Sequence, residues 1–208
     1  MLSVVAIVML SGVPATAVTI NGTSADDEIF VGELFQKLFG IWYSQGVYKV
    51  VNGTWSAVNG GSMGAGDQIT VNGSAGDDYI EIINATEGSY VISSTLELRK
   101  ISVASAPGFH LNGGADDDVI RGSDGDDAIE GSGGVDTLSG RLGDDVIIAV
   151  ENSGNLCNIP DSISSTEQDV CIGDGGDDRI FCFNAHGLSG NDVCGGFVHS
   201  SCTDVCGL

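Results

Sequence analysis

Residues 113–148 form four consecutive nine-residue units, GGADDDVIR (113–121), GSDGDDAIE (122–130), GSGGVDTLS (131–139) and GRLGDDVII (140–148). In every unit position 1 is Gly, position 6 is Asp and position 8 is aliphatic. Such a unit divides into a six-residue turn and a short strand whose position 8 points into a core. We expect the Gly at position 1 to supply the positive φ of a tight turn. The regular period therefore predicts coils that stack on one another.

The Asp at position 6 would present a carboxylate at the same place in every coil. Stacked strands lie about 4.8 Å apart. Two carboxylates at that distance repel by about 0.8 kcal/mol even in water, and more strongly when partly buried. A dication between them would remove the repulsion, and Ca²⁺ takes its ligands from carboxylate and carbonyl oxygens such as those of Gly-rich turns. The alternative is an Asp/Gly-rich solenoid that binds no ion, since both residues are common in turns.

The units resemble the nonapeptide repeats of hemolysin-type (RTX) calcium-binding proteins. The resemblance implies a β-roll in which successive units lie on opposite sheets and several Ca²⁺ ions lie between unit i and unit i+2. It pairs Asp118 with Asp136 and Asp127 with Asp145. Two residues depart from the repeat, Asp116 at position 4 and Arg141 at position 2. The candidate ligands are the repeat carboxylates and turn carbonyls: Asp118, Asp127, Asp136, Asp145, Asp116, Asp124, Gly113, Gly122, Gly131, Gly133, Gly140, Asp27, Asp78, Asp178 and Asp192.

Further copies of the unit occur outside the continuous row. Segments 18–29 and 69–80 align with 109–120, each with a strand, an Asn-Gly turn, paired acids and a second strand. Segments 173–180 and 187–194 are also similar. We therefore predict an all-β chain, a parallel β-roll or β-solenoid with irregular N-terminal coils over 18–108 and tandem calcium-binding repeats over 109–148. Residues 149–208 are expected to be Cys-rich coils with an insertion at 149–168, ending in a disulfide-rich terminus.

Two N-terminal segments interrupt the period. Residues 47–58, with Asn52-Gly53 near their centre, predict a β-hairpin, and residues 79–103 predict two or three strands. The apolar residues Leu34, Phe35, Leu38, Phe39 and Trp42 fall on one face of a helix. We expect a short amphipathic helix that caps the solenoid, with a membrane- or partner-binding helix as the alternative.

The charge is strongly one-sided, with 29 acidic and 7 basic residues in 208 and a net charge of −22. We expect no nucleic-acid partner, because binding to phosphates requires positive charge on the protein. The acids recur at fixed repeat positions, which favours cation binding over general solubility.

Residues 1–17 are apolar and end in Ala15-Thr16-Ala17, which predicts a cleaved signal peptide, with a membrane anchor as the alternative. No other membrane contact is expected. All six cysteines lie after residue 156, and their even number in an exported chain predicts three disulfides. A zinc site at His199, Cys202 and Cys206 is the alternative.

No motif of a metalloprotease or a serine hydrolase is present, so we expect no enzymatic activity. The prediction is a secreted or cell-surface protein in which Ca²⁺ binding is coupled to folding. Two alternatives stay open. One is an adhesin or interaction module with structural calcium, which binds a surface or matrix glycan or protein through aromatic residues near Trp42, Tyr43 and Trp55. The other is a polysaccharide-acting enzyme that uses acids outside the repeats, such as Glu97, Asp161 and Glu167.

Overall fold

The computed structural model describes residues 17–58, 68–84, 89–101, 109–149, 170–175, 179–186, 192–200 and 202–204, and these form strands and turns without a helix. The strands in chain order are β1 (Ala17–Asn21), β2 (Glu28–Leu38), β3 (Ile41–Val51), β4 (Thr54–Ala57), β5 (Gln68–Ala75), β6 (Tyr79–Ile82), β7 (Tyr90–Ser93), β8 (Leu96–Arg99), β9 (Phe109–Ala115), β10 (Val119–Arg121), β11 (Ala128–Gly133), β12 (Thr137–Leu142), β13 (Val146–Ile148), β14 (Val170–Gly175), β15 (Arg179–His186), β16 (Asp192–Ser200) and β17 (Cys202–Asp204). Within these ranges no helix is long and apolar enough to cross a membrane.

Two stacks of parallel strands build the molecule. In the first stack, β1, β5, β9, β11, β13 and β15 pair in that order. In the second, β2, β6, β10, β12 and β14 pair in that order. The chain alternates between the stacks, so consecutive repeats lie on opposite stacks and repeats two apart are neighbours. This all-β, parallel arrangement fits the predicted β-roll.

The residues at position 8 form the core between the stacks. Ile120, Ile129, Leu138 and Ile147 are each at most 2% exposed. Each belongs to a ladder of aliphatic side chains in register, which in the first stack comprises Ile20, Val71, Leu111, Ile129, Ile147 and Ile180. Full burial of such a side chain stabilises the fold by about 1.5–3 kcal/mol, so each coil adds stability only when its neighbour covers it.

The isolated copies belong to the same solenoid. Val18 pairs with Ile69, and Ile69 pairs with Phe109, which places the three aligned segments directly above one another. The prediction that these segments are coils of one solenoid is confirmed. The 173–180 copy also stacks in phase, because Arg141 pairs with Asp174.

The N-terminal coils carry a lateral antiparallel sheet. β2 extends beyond its coil and pairs with β3 and β8; β3 pairs with β4 and β8 pairs with β7. This side sheet has its own small core of Leu34, Val50, Ile83 and Leu98. The predicted hairpin at Asn52-Gly53 is confirmed as β3–β4, and the predicted strands over 79–103 are confirmed as β6, β7 and β8.

The predicted amphipathic helix at 34–42 is wrong. These residues form the end of β2, a turn at Phe39-Gly40 and the start of β3. The β2–β3 register shifts between Glu33 and Phe35, where one residue of β2 lies opposite two of β3. The apolar residues of the two strands and their turn recur at a spacing that imitates a helical face.

The C-terminal coils continue the parallel order through β15, β16 and β17. Cys171 is fully buried, pairs in register with Leu138 and is disulfide-bonded. Cys171 thus occupies, in the second stack, a core position that is aliphatic in the repeat below it. The other cysteine and His199 side chains lie outside the described residues, so the three-disulfide terminus and its zinc alternative stay predictions. Residues 1–16, with most of the predicted signal, also lie outside them.

Candidate metal centre in the stacked turns

The parallel stacking brings the repeat aspartates into two columns. The first column contains the turns that end at Asp27, Asp78, Asp118 and Asp136, and the second contains those that end at Asp127 and Asp145. Backbone hydrogen bonds fix this order, because Val119 N donates to Asp78 O and Thr137 N donates to Asp118 O, while Val146 N donates to Asp127 O. All six side chains are at most 4% exposed.

In four of the six column carboxylates, one oxygen accepts a hydrogen bond from the backbone of the column aspartate in the coil below. Asp118 N donates to Asp136 Oδ1 at 3.0 Å, and Asp127 N donates to Asp145 Oδ1 at 2.8 Å. Asp27 N and Asp78 N donate in the same way to Asp78 Oδ1 and Asp118 Oδ1. The structure therefore places Asp118 beside Asp136 and Asp127 beside Asp145, as the resemblance implied. That these pairs bind calcium stays a prediction.

The second oxygen is buried against the turn. Asp78 Oδ2 and Asp118 Oδ2 are inaccessible to solvent and accept no hydrogen bond from any described residue. A buried carboxylate oxygen without a donor is costly, because it has lost water and gained no partner. These atoms are available to a cation that enters the column.

Burial and mutual repulsion oppose ionisation of the column carboxylates. Burial is the main cause that raises the pKa of Asp118 to about 7; the hydrogen bond from the Asp78 backbone lowers it, and the charges of Asp136 and Asp78 raise it further. Burial likewise raises the pKa of Asp78 to about 6, with repulsion from Asp27 among the smaller causes. The metal-free fold therefore favours protonated carboxyls, and a cation would reverse that preference.

The Gly at position 1 is required for space and not for a positive φ. Gly73, Gly113 and Gly140 have ordinary φ values, but a Cβ at any of them would overlap the Oδ2 atom of the Asp five residues later in the same turn. At Gly122 the added Cβ would lie 2.6 Å from Asp127 Oδ2. The expected role of this glycine was wrong, and its actual role is to leave room beside the carboxylate.

Positions 2 and 4 have the positive φ in the turns that end at Asp78, Asp118, Asp136 and Asp145. Both departures from the repeat adopt it, with φ 77° at Asp116 and φ 79° at Arg141. Asp116 is exposed, and its Oδ2 accepts a hydrogen bond from Gly76 N at 3.2 Å. Unlike the buried column carboxylates it is open to solvent, and its role as a ligand stays a prediction.

The lowest turn of each column is closed by a hydroxyl residue. Thr23 N donates to Asp27 Oδ2 at 2.5 Å, and Ser123 N donates to Asp127 Oδ2 at 2.6 Å. Burial would raise the pKa of Asp27, but the hydrogen bonds from Thr23 and Asn52 outweigh it and lower the pKa. Burial raises the pKa of Asp127 to about 6 despite the bonds from Ser123 and Phe109. These two turns contain internal donors where the turns at Asp78 and Asp118 have none.

The remaining predicted ligands are not column carboxylates of the described turns. Asp124 forms an ion pair with Lys100 beside a small cavity at the base of the second column. Gly131 and Gly133 lie in the turn above Gly113, within β11. Asp178 lies outside the described residues, and only the backbone of Asp192 is described, with Val193 in register with Arg179.

A second row of acids was not singled out from the sequence. The carboxylates at position 5 face outward and bond to the turn above them: Asp26 Oδ1 accepts from Asp77 N, Asp77 Oδ1 from Asp117 N, Asp117 Oδ1 from Val135 N and Asp126 Oδ1 from Asp144 N. The Asp-Asp pair that recurs in six repeats of the sequence is the signal for this row. The position-5 carboxylates connect successive turns by hydrogen bonds on their outer side, while the position-6 carboxylates lie buried on the inner side.

The donors present are carboxylate pairs and main-chain carbonyls. Among the described residues, no three His, Cys, Asp or Glu side chains converge on one point. A transition-metal cluster of side-chain ligands is therefore absent from this part of the chain. Hard oxygen donors at a Gly-rich turn fit Ca²⁺, which accepts carbonyl and carboxylate oxygens in variable geometry.

Comparison with known families agrees with this chemistry. Residues 111–147 match the RTX calcium-binding nonapeptide repeat in four copies. The match covers the continuous part of both columns, from Leu111 to Ile147. The repeats indicate a calcium-binding β-roll protein. No curated protein and no solved structure matches the chain.

Proposed function

We propose that this chain is a secreted protein whose solenoid folds fully only when Ca²⁺ fills the columns of stacked turns. The single observation that carries the proposal is the pair of buried, unpartnered oxygens, Asp78 Oδ2 and Asp118 Oδ2. Bound Ca²⁺ would supply the positive charge that these carboxylates lack, held by the column aspartates and by carbonyls of the Gly-rich turns. The chain's own residues orient the carboxylates through the Oδ1 hydrogen bonds and leave room for Oδ2 at position 1.

Location would then control folding. Extracellular modules bind Ca²⁺ with dissociation constants of about 10⁻⁴ to 10⁻³ M, so such sites fill outside the cell and stay empty in a cytosol. Each site stabilises the fold by about 1.4 kcal/mol at a tenfold excess of free ion over the dissociation constant. Several sites acting together exceed the marginal stability of many domains.

A calcium titration of the full, oxidised chain tests this proposal. We expect far-UV circular dichroism to show a gain of β signal with Ca²⁺, and calorimetry to count several ions per chain. Mg²⁺ is the control and should produce neither effect, because it requires a tighter octahedral shell. A chain that is fully folded in chelator and releases no heat with Ca²⁺ would reject the proposal.

An interaction module with structural calcium is the second candidate. It is favoured by the exposed tip of the β2–β3 hairpin, where Phe39 is 103% exposed, Ile41 58% and Leu38 43%. Contiguous exposed apolar residues commonly mark a binding surface. The side sheet also holds Lys37, Lys49 and Arg99, and Lys100 directly follows β8; these are four of the 7 basic residues of the chain. A surface or matrix glycan that carries acidic groups fits such a surface.

The proposal includes no enzymatic activity. Glu97, one of the acids outside the repeats, forms an ion pair with Arg99 on the side sheet. Asp161 and Glu167 lie outside the described residues. No described groove brings acids outside the repeats together, so the geometry offers no support for a catalytic carboxylate pair.

A further inference from the structure

Arg141 is a buried cation in the wall of the second column. It is 6% exposed and occupies position 2 of the turn that ends at Asp145. The corresponding residues of the first column are Thr23, Ser74, Gly114 and Ser132, which are small and uncharged. Arg141 adopts φ 79°, a strained value for a long side chain, so its contacts must offset the strain.

The guanidinium bonds to oxygens on two lower coils. Nη1 donates to Gly122 O at 2.7 Å and to Ile82 O at 2.5 Å. Gly122 is position 1 of the turn directly below, and Ile82 follows Glu81, which pairs with Arg121 one coil lower. One side chain therefore bonds across three successive levels of the stacked coils.

A carboxylate completes the set of acceptors. Nη2 donates to Glu81 Oε1 at 3.1 Å, and Glu81 Oε2 accepts a hydrogen bond from the Tyr79 hydroxyl at 2.7 Å. Glu81 is 8% exposed, so a buried acid and a buried base compensate each other. Two main-chain carbonyls and one carboxylate are the kinds of oxygen donor that Ca²⁺ uses.

We propose that Arg141 is a built-in replacement for a Ca²⁺ ion at the lower end of the second column. The proposal rests on the calcium-binding function above. It divides the columns by their requirement for metal: the first contains no base at position 2 and depends on Ca²⁺, while at the lower end of the second the guanidinium occupies the place among Gly122 O, Ile82 O and Glu81 that an ion would take. This end would stay folded at low calcium and could serve as the base on which the other coils assemble.

The decisive variant is Arg141→Gly, which restores the residue type that the repeat has at position 2 and also relieves the positive φ. We expect the variant to bind about one more Ca²⁺ per chain than the wild type in calorimetry. We also expect it to melt at a lower temperature than the wild type in chelator, and to recover that loss in saturating Ca²⁺.

Ser132→Gly is the matched control. Ser132 stands at the same repeat position in the first column with the same φ of 79°. The substitution removes a side chain and relieves the same backbone strain without removing a charge. Its calcium stoichiometry should equal that of the wild type.

Three results would overturn the proposal. They are an unchanged stoichiometry in Arg141→Gly, a matching increase in Ser132→Gly, or an Arg141→Gly chain that fails to fold even in saturating Ca²⁺, which would show that metal cannot replace the guanidinium. These results are distinct from failure of the proposed function. If the wild type binds Ca²⁺ and Arg141→Gly binds no more, only the replacement fails; if neither chain binds Ca²⁺, both fail.

Discussion

At the scale of single residues, positions 5 and 6 of the turn carry the same side chain in different environments. Asp117 is exposed, and its Oδ1 accepts a hydrogen bond from Val135 N at 2.8 Å. Asp118 is 1% exposed, and one of its oxygens has no donor among the described residues. The chemical difference between these neighbours with identical side chains comes mainly from burial, because the turn exposes Asp117 and buries Asp118.

Asp118→Asn should therefore separate the stability of the fold from its response to calcium. The amide keeps an acceptor for Asp78 N and removes a buried charge, so we expect a higher melting temperature in chelator. In Ca²⁺ at a tenfold excess the variant should lose about 1.4 kcal/mol of the calcium-dependent gain, or roughly 4 °C. Thermal melts in chelator and in Ca²⁺ measure both effects.

Asp117→Asn is the control for this change, since it alters net charge equally at an exposed position. It should shift the melting temperature little in either condition, because exposed charges contribute little to stability. Equal responses of the two variants would contradict the assignment of Asp118 to a calcium site.

At the scale of elements, the β2–β3 hairpin is separate from the calcium columns. Phe39 at its tip is fully exposed, and the guanidinium of Arg99 lies over the rings of Phe35 and Trp42, at 4.6 and 4.8 Å from their centroids. Arg99 thereby fixes aromatic rings beneath an exposed tip. This arrangement suits contact with a partner and adds nothing to the columns.

Phe39→Asp should leave calcium-induced folding unchanged, because the fully exposed ring contributes no packing. If the interaction module is correct, the variant should lose binding to acidic polysaccharides immobilised in a panel, measured by surface plasmon resonance. Val91→Asp, at a 64% exposed site on β7, is the matched control and should bind like the wild type. Binding that is equal in both variants, or absent from the wild type, would reject this second function.

The difference between columns and hairpin also shows what the sequence could predict. The stacking of Asp118 on Asp136 follows from a nine-residue period that repeats in fixed phase, and the isolated coils were found because they keep the same Asn-Gly turn. The β2–β3 hairpin was missed because Leu34, Phe35 and Leu38 recur in the sequence at a helical spacing. The Gly40 turn followed by Ile41, Trp42 and Tyr43 is the local signal that favours strands.

Other features depend on contacts that no local pattern encodes. Arg141 lies 60 residues from its partner Glu81 in the chain, and only the order of the stack brings them together. The role of the position-1 glycine was also inaccessible, because it depends on where the Asp118 carboxylate turns after the coil has closed. Periodicity predicts which coils are neighbours, and the contacts between side chains of different levels require the structure.

At the scale of the whole molecule, the raised pKa values predict an inverted pH response of the metal-free chain. The carboxyls of Asp78, Asp118 and Asp127 have pKa values of about 6, 7 and 6 in the fold, against 3.8 as the ordinary value. Between pH 3.8 and about pH 7 the folded chain therefore binds more protons than the unfolded chain. Its stability consequently falls as pH rises through this range. The lowered pKa of Asp27 acts in the opposite sense, but only below its ordinary value of 3.8.

Calcium should reverse this dependence, because only ionised carboxylates bind the ion and each binding event releases protons. We expect the melting temperature in chelator to fall from about pH 4.5 to about pH 7.5, and the melting temperature in saturating Ca²⁺ to rise over the same range. Parallel melts at four pH values measure the two slopes. A metal-free chain that becomes more stable as pH rises would show that the columns are not strained by their own charge. If the two plots of melting temperature against pH cross, the crossing marks a change in what neutralises the acidic turns. Bound protons neutralise them at lower pH, and bound Ca²⁺ neutralises them at higher pH.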